Sequence, residues 1–524
     1  MSAVNQMWTI IFSLPSVFTN SIALLIVAIC LYLHYKTMDY NRTAITATEK
    51  LSRRLGSYEK FFLTSAKVNN TGYINTVLFL ESKVKLDQVH VKNSLLLLLD
   101  QFPLLRMRVV ESRFSQPRFE AMENPQGNLD FQQVDVDSEE WLHAFEKQIN
   151  GRRLDTERGP LWRVTLLKET VQLSSDHKEN LFKNTLLFTF HHVVSDGLSI
   201  FEFLKKLVEF MGLLYHDKPI EVKSFPFRPE LENTMQHLIG SGPSILERIS
   251  TATVFNLRKL SVALHSPKPS NPYLLKFHSR ISSHSVPQKT YVVPRSMTKE
   301  ETIALIRCSK ANKCTVHGAI TAATHLAISR LVLERRSKDL KNPLMIDSTF
   351  TVNVRKECQP KVESQEFGLY VTFNSLQIKV HSSRVTTQEC FWDFACSCTS
   401  EIHSRIHQLG SHRNVLKLFQ CVNPETFCAL SRFNADYGLY RELFNLTNLG
   451  SLSIDPEGKS PYRFAGSHFA VQCAKINYAI GHNIFTVNNQ LYWTVEYSPE
   501  VTSKTQAEKF VDLSLRILVD ACAP

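Results

Sequence analysis

Two adjacent histidines followed by an acid and a glycine form the group of residues best suited to chemistry in this chain. His191 and His192 are separated by three residues from Asp196, and Gly197 follows the acid directly. Imidazole has a pKa close to neutrality, so such a histidine can take up a proton and release it within one reaction. The group indicates general acid–base catalysis. The alternatives are a turn with solvated histidines and a structural His–Asp pair, which the same residues could form.

The elements around this group predict how it is positioned. Residues 185–190 form a strongly β-prone apolar run, and residues 198–204 have the pattern of the first turns of a helix. A buried strand would therefore deliver the histidines to a loop that opens a helix. The glycine in that loop would allow a substrate to approach the backbone closely.

The N-terminus has the pattern of a membrane anchor. No Asp, Glu, Lys or Arg occurs before Lys36, and the apolar segment 16–35 would span roughly 30 Å as a helix. A cleaved signal peptide is the alternative, but the basic start and the small residues after the apolar core are missing. Basic residues follow the segment and none precedes it, which predicts a single-pass anchor at 1–45 with the body in the cytosol.

Composition and charge are those of a folded protein with two lobes. The 524 residues are 43% hydrophobic and 21% charged, and the net charge of +11 is spread along the chain. No block of Lys and Arg with interleaved aromatic residues occurs, which argues against a nucleic-acid partner. Attraction to an anionic membrane surface explains the basic excess, and a plainly solvated basic surface explains it equally.

Cysteine usage agrees with a reducing compartment. The 11 cysteines include one lone C-x-C, Cys396 and Cys398, without the second pair that a zinc site would need. Free thiols are therefore expected, and no metal. Sequons at Asn41, Asn69 and Asn445 argue weakly for the opposite, luminal, placement of the body.

A coarse reading of the chain predicts alternating strands and helices, that is, an α/β fold with mixed sheets. The clearest predicted strands are 73–80, 161–167, 186–190 and a pair within 484–497, and the clearest helices are 89–102, 245–264 and 503–519. The helix 245–264 is amphipathic with basic residues, so it would lie on a membrane surface or, as is commoner, pack on the body.

The motif HHxxxDG at 191–197 resembles the signature of the CoA-dependent acyltransferase superfamily, whose fold is that of chloramphenicol acetyltransferase. Further segments are similar to alcohol acetyltransferase-type members in the same order along the chain: 55–59, 101–108, 159–164, 314–323 and 448–450. The resemblance implies two lobes, at 50–222 and 291–524, joined by a crossover segment at 223–290. It also implies that the HHxxxDG motif lies at their interface beside a tunnel.

The resemblance also implies roles for the residues of the motif. His192 would be the base that removes the proton of the acceptor and returns it to the sulfur of CoA. Asp196 would hold the loop by pairing with an arginine, for which Arg355 is the candidate. His191 would orient the loop, and Gly197 would leave room for the pantetheine arm.

An oxyanion donor is expected where these families carry an "SNxG" turn. Asn448 occupies that position, and Thr447 replaces the serine of the family. An Asn close to a Gly is also an ordinary turn residue, so the simpler interpretation of Asn448 is a structural one.

The predicted function is a membrane-anchored O-acyltransferase, placed at the endoplasmic reticulum, that moves an acyl group from acyl-CoA to a hydroxyl acceptor. Acyl-CoA would be a co-substrate, and no bound cofactor is expected. An N-acyltransferase or condensation-type enzyme is one alternative. A non-catalytic descendant that binds an acyl ligand or a protein partner is another.

Overall fold

A computed structural model describes residues 51–523 except 113–114, 174–179, 241, 265–270, 278–288, 335–342, 382–390, 408–409, 437–438, 441, 456 and 473–477. The predicted membrane anchor at 1–45 lies outside the described residues. Residues 51–524 separate from residues 1–50 as a compact unit, and the following description concerns that unit alone.

The strands are β1 Ser52–Arg54, β2 Tyr73–Ser82, β3 Met107–Ser112, β4 Ser115–Ala121, β5 Phe131–Asp137, β6 Trp162–Lys168, β7 Thr170–Leu173, β8 Asn180–His191, β9 Tyr291–Ser296, β10 Leu344–Asn353, β11 Val371–Val380, β12 Glu442–Leu452, β13 Arg463–Val471, β14 Tyr478–Val487 and β15 Gln490–Tyr497.

The helices are α1 Ser57–Asn69, α2 Gln88–Gln101, α3 Trp141–Ile149, α4 Gly197–Tyr215, α5 Leu231–Thr234, α6 Gln236–Ile239, α7 Ile245–Leu264, α8 Pro272–Phe277, α9 Lys299–Ala311, α10 Val316–Leu333, α11 Phe391–His407, α12 Gly410–Cys421, α13 Pro424–Asp436 and α14 Lys504–Cys522. Short 3₁₀ turns occur at Pro103–Arg106, Ser138–Glu140 and Arg355–Glu357.

The first large sheet positions the histidine motif. Its strand order is β13-β2-β8-β6-β5, with β7 paired to β8, and β8 is antiparallel to both neighbours while β5 and β6 are parallel. The central strands are apolar and buried because α2 and α4 pack together over this lobe and α3 contacts the strands β2 and β8. Residues Tyr73 and His191 are directly opposite each other at the ends of β2 and β8.

The second large sheet has the order β11-β10-β12-β14-β15-β9. Strands β10, β12 and β14 run parallel, and the other pairs are antiparallel. The predicted α/β fold with mixed sheets is therefore confirmed. A third, small sheet joins β1, β4 and β3.

Strand β13 crosses from the second lobe into the sheet of the first lobe. It lies within the part of the sequence predicted as the second lobe, yet it is hydrogen-bonded antiparallel to β2 at the edge of the first sheet. The register slips between Phe464 and Gly466, where a β-bulge changes the pairing. This exchange ties the two lobes together through main-chain hydrogen bonds, and local sequence carries no signal for it.

Helix α10 is the core helix of the second lobe. Among the described residues it is the one helix with the length and apolar composition of a membrane span, and most of it is buried against α11 and α14. Burial on several sides explains why this helix is apolar around most of its circumference.

Most of the clear sequence predictions are confirmed at the level of single elements. The predicted helix 245–264 has the same bounds as α7, and the predicted strand pair within 484–497 corresponds to β14 and β15. Outside this helix, the segment 223–290 lacks clear periodicity in sequence, yet it also contains the helices α5, α6 and α8. Two of these span only four residues, too few to show a helical period.

Candidate active site

The loop between β8 and α4 presents the histidine motif. His191 is the last residue of β8, and Gly197 is the first residue of α4. Asp196 caps the helix, because its Oδ1 accepts hydrogen bonds from Ser199 N at 2.9 Å and from Ser199 Oγ at 3.0 Å. The strand, loop and helix predicted around the motif are all present.

Asp196 and Arg355 form the ion pair expected from the sequence. Arg355 Nη2 lies 3.0 Å from Asp196 Oδ1, and both side chains are buried. Asp196 Oδ2 accepts a further hydrogen bond from Tyr370 N at 2.8 Å. Burial alone would raise the pKa of Asp196, but the Arg355 charge and these hydrogen bonds hold it below its ordinary value. The carboxylate is thus fully engaged with the protein and does not line the large cavity described below.

His191 points into the protein. Its ring is completely buried, and its Nδ1 accepts a hydrogen bond from Val193 N at 3.1 Å. Tyr73 meets the ring edge to face at 5.1 Å between centroids. Burial lowers the pKa of His191 to about 3, so the ring is neutral and shapes the loop.

His192 is held in one orientation at the wall of a cavity. Its ring stacks on Phe62 of α1 with centroids 4.0 Å apart and an interplanar angle of 21°. Its backbone N–H donates to Gly72 O at 2.8 Å. The side-chain Nδ1 is buried, which leaves Nε2 as the nitrogen available to a ligand in the cavity.

The protonation state of His192 follows from its surroundings. Burial lowers the pKa of His192 to about 4, although backbone groups of His192 and Ser195 and the charge of Asp196 oppose the shift. The ring is therefore neutral at pH 7 and has a free lone pair for a proton.

The cavity beside His192 lies between the two lobes. Its empty volume is about 1060 Å³, including its opening. The first lobe contributes Gly72 and His192, and the second sheet contributes residues of β10, β11 and β12. Aromatic side chains from the helices α1, α12 and α13 form an apolar wall: Tyr58, Phe61, Phe62, Phe419 and Phe427.

A chain of polar side chains from β10 and β12 also lines the cavity. Thr349 Oγ1 donates to Asn445 Oδ1 at 2.9 Å, and Asn445 Nδ2 donates to Thr447 Oγ1 at 3.1 Å. Because Thr447 Oγ1 already accepts this hydrogen bond, its own hydroxyl proton is available to a group in the cavity. All three residues line the cavity.

Asn448 and Gly197 lie elsewhere. Asn448 is not among the residues that line the large cavity, and its Oδ1 accepts from Gly450 N at 2.9 Å, as in an ordinary turn. Gly197 lines a separate, smaller cavity of about 250 Å³ beside Leu449. A Cβ added at Gly197 would meet Leu449 Cδ2 at 2.8 Å, so the glycine permits close contact between α4 and β12.

Sequence reasoning missed several residues of this site. Phe62, which stacks on His192, is separated from it by 130 positions, and Asn445 and Thr349 are partners from different strands of the second sheet. Thr447 was identified from the sequence as the replacement for the family's serine, with a role for its hydroxyl left open. The described residues contain no cluster of His, Cys, Asp and Glu that could hold a metal ion.

Residues 54–516 match the alcohol acetyltransferase family. The match covers most of the chain, so the protein belongs to this family and is an acyltransferase. A search with its sequence among curated proteins finds no significant match.

Solved structures show the same fold. Trichothecene 15-O-acetyltransferase from Fusarium sporotrichioides superposes with a TM-score of 0.60 at 13% identity, covering 90% of this chain and 96% of that chain. The epimerization domain from the third module of tyrocidine synthetase B gives 0.60 at 14% identity, covering 92% and 98%. The first condensation domain of the calcium-dependent antibiotic synthetase gives 0.58 at 13% identity, covering 91% and 97%. At these identities the similarity establishes the two-lobed fold alone.

Proposed function

We propose that this protein is a membrane-anchored O-acyltransferase that uses acyl-CoA as its acyl donor, with His192 as the general base. The observation that carries the proposal is the position of His192. Its neutral, oriented ring faces a cavity between the lobes, while Asp196 and Arg355 neutralise each other behind the loop.

The reaction needs one proton to move twice. An alcohol in the large cavity gives its proton to His192 Nε2 while its oxygen attacks the thioester carbonyl. The resulting tetrahedral intermediate collapses, the C–S bond breaks, and the imidazolium returns the proton to the departing sulfur. The products are an ester and free CoA thiol, and no covalent acyl-enzyme forms.

The negative oxygen of the intermediate needs a hydrogen-bond donor. The side chain at Thr447 is better placed than that at Asn448, because Thr447 lines the cavity and its hydroxyl proton is available. We therefore assign the oxyanion interaction to Thr447, supported by Asn445. This assignment replaces the sequence-based candidate, Asn448.

The donor and the acceptor occupy different sides in this proposal. The pantetheine arm of acyl-CoA lies in the smaller cavity of about 250 Å³ that Gly197 and Leu449 line. The aromatic wall of the large cavity suits an apolar alcohol, because apolar surface is removed from water there.

We further propose that residues 1–45 anchor the protein in the endoplasmic reticulum membrane with the body in the cytosol. Two sequons that suggested a luminal body have buried asparagines in the folded chain. Asn69 is 7% exposed and donates to Cys428 O at 3.2 Å, and Asn445 is 8% exposed within β12. A glycan on either residue would require local unfolding.

The test is thiol release by the purified full-length protein with a series of acyl-CoAs and alcohol acceptors. Replacing His192 by Ala is expected to reduce the rate by about 10²- to 10⁴-fold, the range for loss of a general base. The exposed residue His216 offers the matched control, since His216→Ala leaves the cavity unchanged. Thiol release that persists at the parental rate in His192→Ala would exclude the mechanism.

The pH profile and the acceptor series separate the alternatives. With a pKa of about 4 at His192, the acid limb of kcat/KM is expected well below the ordinary histidine value of 6.5. Faster transfer to amines than to alcohols would indicate an N-acyltransferase. Binding of acyl-CoA without thiol release to either kind of acceptor would indicate a non-catalytic descendant.

A further inference from the structure

Helix α7 has an apolar stripe that the rest of the described chain does not cover. Ile245, Leu246, Ile249, Val254 and Leu257 are 59%, 78%, 52%, 61% and 59% exposed. At 100° per residue these five positions fall within about 180°, that is, on one half of the helix. Exposed apolar residues that share one face of a long helix indicate a binding surface more strongly than scattered ones do.

The opposite side of α7 holds the helix to the body. Arg248 Nη1 donates to Gln420 O at 3.2 Å, and Lys417 Nζ lies 3.3 Å from Glu247 Oε1. The start of the helix is capped, because Ser244 N donates to Glu247 Oε2 at 2.7 Å. With that side engaged on α12, the apolar stripe faces away from the body.

The charge of α7 favours an anionic surface as the occupant of the stripe. The helix sequence contains three basic residues, Arg248, Arg258 and Lys259, and one acid, Glu247. The acid is paired with Lys417, another basic residue. A basic helix with an apolar face is the form that lies in the interface of a membrane with anionic lipids.

The start of the described chain leads to the same part of the molecule. Arg53 of β1 donates to Arg228 O at 2.9 Å, and Tyr58 N donates to Glu232 Oε1 at 2.7 Å. Only residues 240–244 separate α6 from α7. The described chain therefore begins beside residues 228–232, which precede α7 along the chain.

We propose that the apolar stripe of α7 rests on the anionic leaflet of the membrane, as a second membrane contact in addition to the proposed N-terminal anchor. Helix α12 connects this contact to the cavity, because Phe419 lines the cavity while Lys417 and Gln420 touch α7. A lipid-dissolved acceptor thus reaches the cavity from the bilayer. This last step rests on the proposed function, whereas the lipid contact of α7 does not.

Lipid contact is tested by tryptophan quenching in the full-length protein, reconstituted in phosphatidylcholine–phosphatidylserine vesicles with brominated acyl chains. Leu257→Trp adds a reporter on the stripe, and Val89→Trp adds one at an equally exposed apolar site on α2. The fluorescence that each added tryptophan contributes is obtained by subtracting the emission of the parent protein. The brominated lipids are expected to reduce this contribution by about half for the α7 reporter and only a little for the α2 reporter, because interfacial helices lie at the boundary of the acyl chains. Equal quenching of both reporters would overturn the proposal.

A blue-shifted but unquenched reporter at position 257 would also overturn it, because protein would then cover the stripe. That cover would be the N-terminal segment or a second copy of the chain. The quenching readout does not depend on enzyme activity.

Activity tests the delivery step separately. The double variant Leu246→Glu/Leu257→Glu changes only exposed side chains, so it is expected to fold. Its KM for a long-chain alcohol in the vesicles is expected to rise several-fold, while kcat/KM for a water-soluble alcohol stays unchanged. Parallel losses for both acceptors, or no loss for either, would refute delivery from the bilayer. Absence of thiol release with any acceptor would reject the proposed function but leave the quenching result intact.

Discussion

The buried ion pair between Asp196 and Arg355 should be a strongly coupled structural unit. Replacing Arg355 by Met removes the cation and leaves the Asp196 carboxylate with hydrogen bonds from Ser199 and Tyr370 only. Replacing Asp196 by Asn leaves the buried Arg355 guanidinium without its counter-charge. Each single variant is expected to lower the free energy of unfolding by about 3–5 kcal/mol, because an unpaired charge then stays buried.

The double variant Asp196→Asn/Arg355→Met shows whether the two residues stabilise the fold together or independently. If the two residues act as a pair, the double variant should cost about 2–3 kcal/mol less than the sum of the singles. Urea unfolding followed by tryptophan fluorescence measures all three variants against the parent protein. The exposed pair of Lys509 and Glu334 is the control, and Lys509→Met is expected to cost less than about 1 kcal/mol.

The pH dependence of this effect has a defined sign. The pKa of Asp196 lies below its ordinary value of 3.8 in the folded protein. The stability from the pair is therefore fully present above pH 3.8 and disappears as the pH falls through the folded pKa. Two outcomes would refute the assignment of Asp196 to this pair. The losses of unfolding free energy in the single variants could simply add in the double variant, or they could persist unchanged in strong acid.

Two further predictions concern the oxyanion donor and the buried histidines. Thr447→Val is expected to lower kcat by about 10²- to 10³-fold, as for other lost oxyanion donors. The control variant Thr505→Val changes an exposed threonine and is expected to have no effect on kcat. A kcat of Thr447→Val equal to that of the parent protein would reject the assignment. Burial lowers the pKa of both His468 and His482 to about 3. The unfolded chain therefore binds a proton at each histidine more readily than the folded protein does, and stability falls as the pH drops from 6.5 toward 3. Urea unfolding between pH 7 and pH 4 should therefore show a smaller loss of stability in His482→Phe than in the parent, and identical pH slopes would contradict this.

Local sequence was sufficient for the elements with a clear period and for the kind of chemistry expected at the site. The helix α7 could be bounded to the residue because its amphipathic period runs through its whole length. The strand β8 and the start of α4 were predicted because apolar β-prone residues precede the motif and helical spacing follows it. The choice of His192 as the proposed base came from the resemblance of the motif to a family, whereas the residue types by themselves indicated acid–base chemistry near neutral pH.

Among the contacts between the lobes, only the ion pair of Arg355 with Asp196 was predicted, and that prediction came from the resemblance to a family. Phe62, Asn445 and Thr349 carry no such signal, because stacking and hydrogen bonding across the cavity depend on which surfaces meet in space. The Asn448 turn illustrates the limit: sequence placed a candidate donor one position away from the side chain that lines the cavity. Successive residues of a strand point to opposite faces, so a shift of one position changes the assignment.

The HHxxxDG motif by itself determined which atoms could do chemistry, since proton transfer and charge pairing are properties of the side chains. Tertiary structure decided that His192 faces a cavity while His191 is sealed in the protein. It also decided that β13 crosses into the first sheet and that no described residue covers the stripe on α7. These outcomes depend on contacts between segments hundreds of residues apart, for which neighbouring residues in the chain provide no physical constraint.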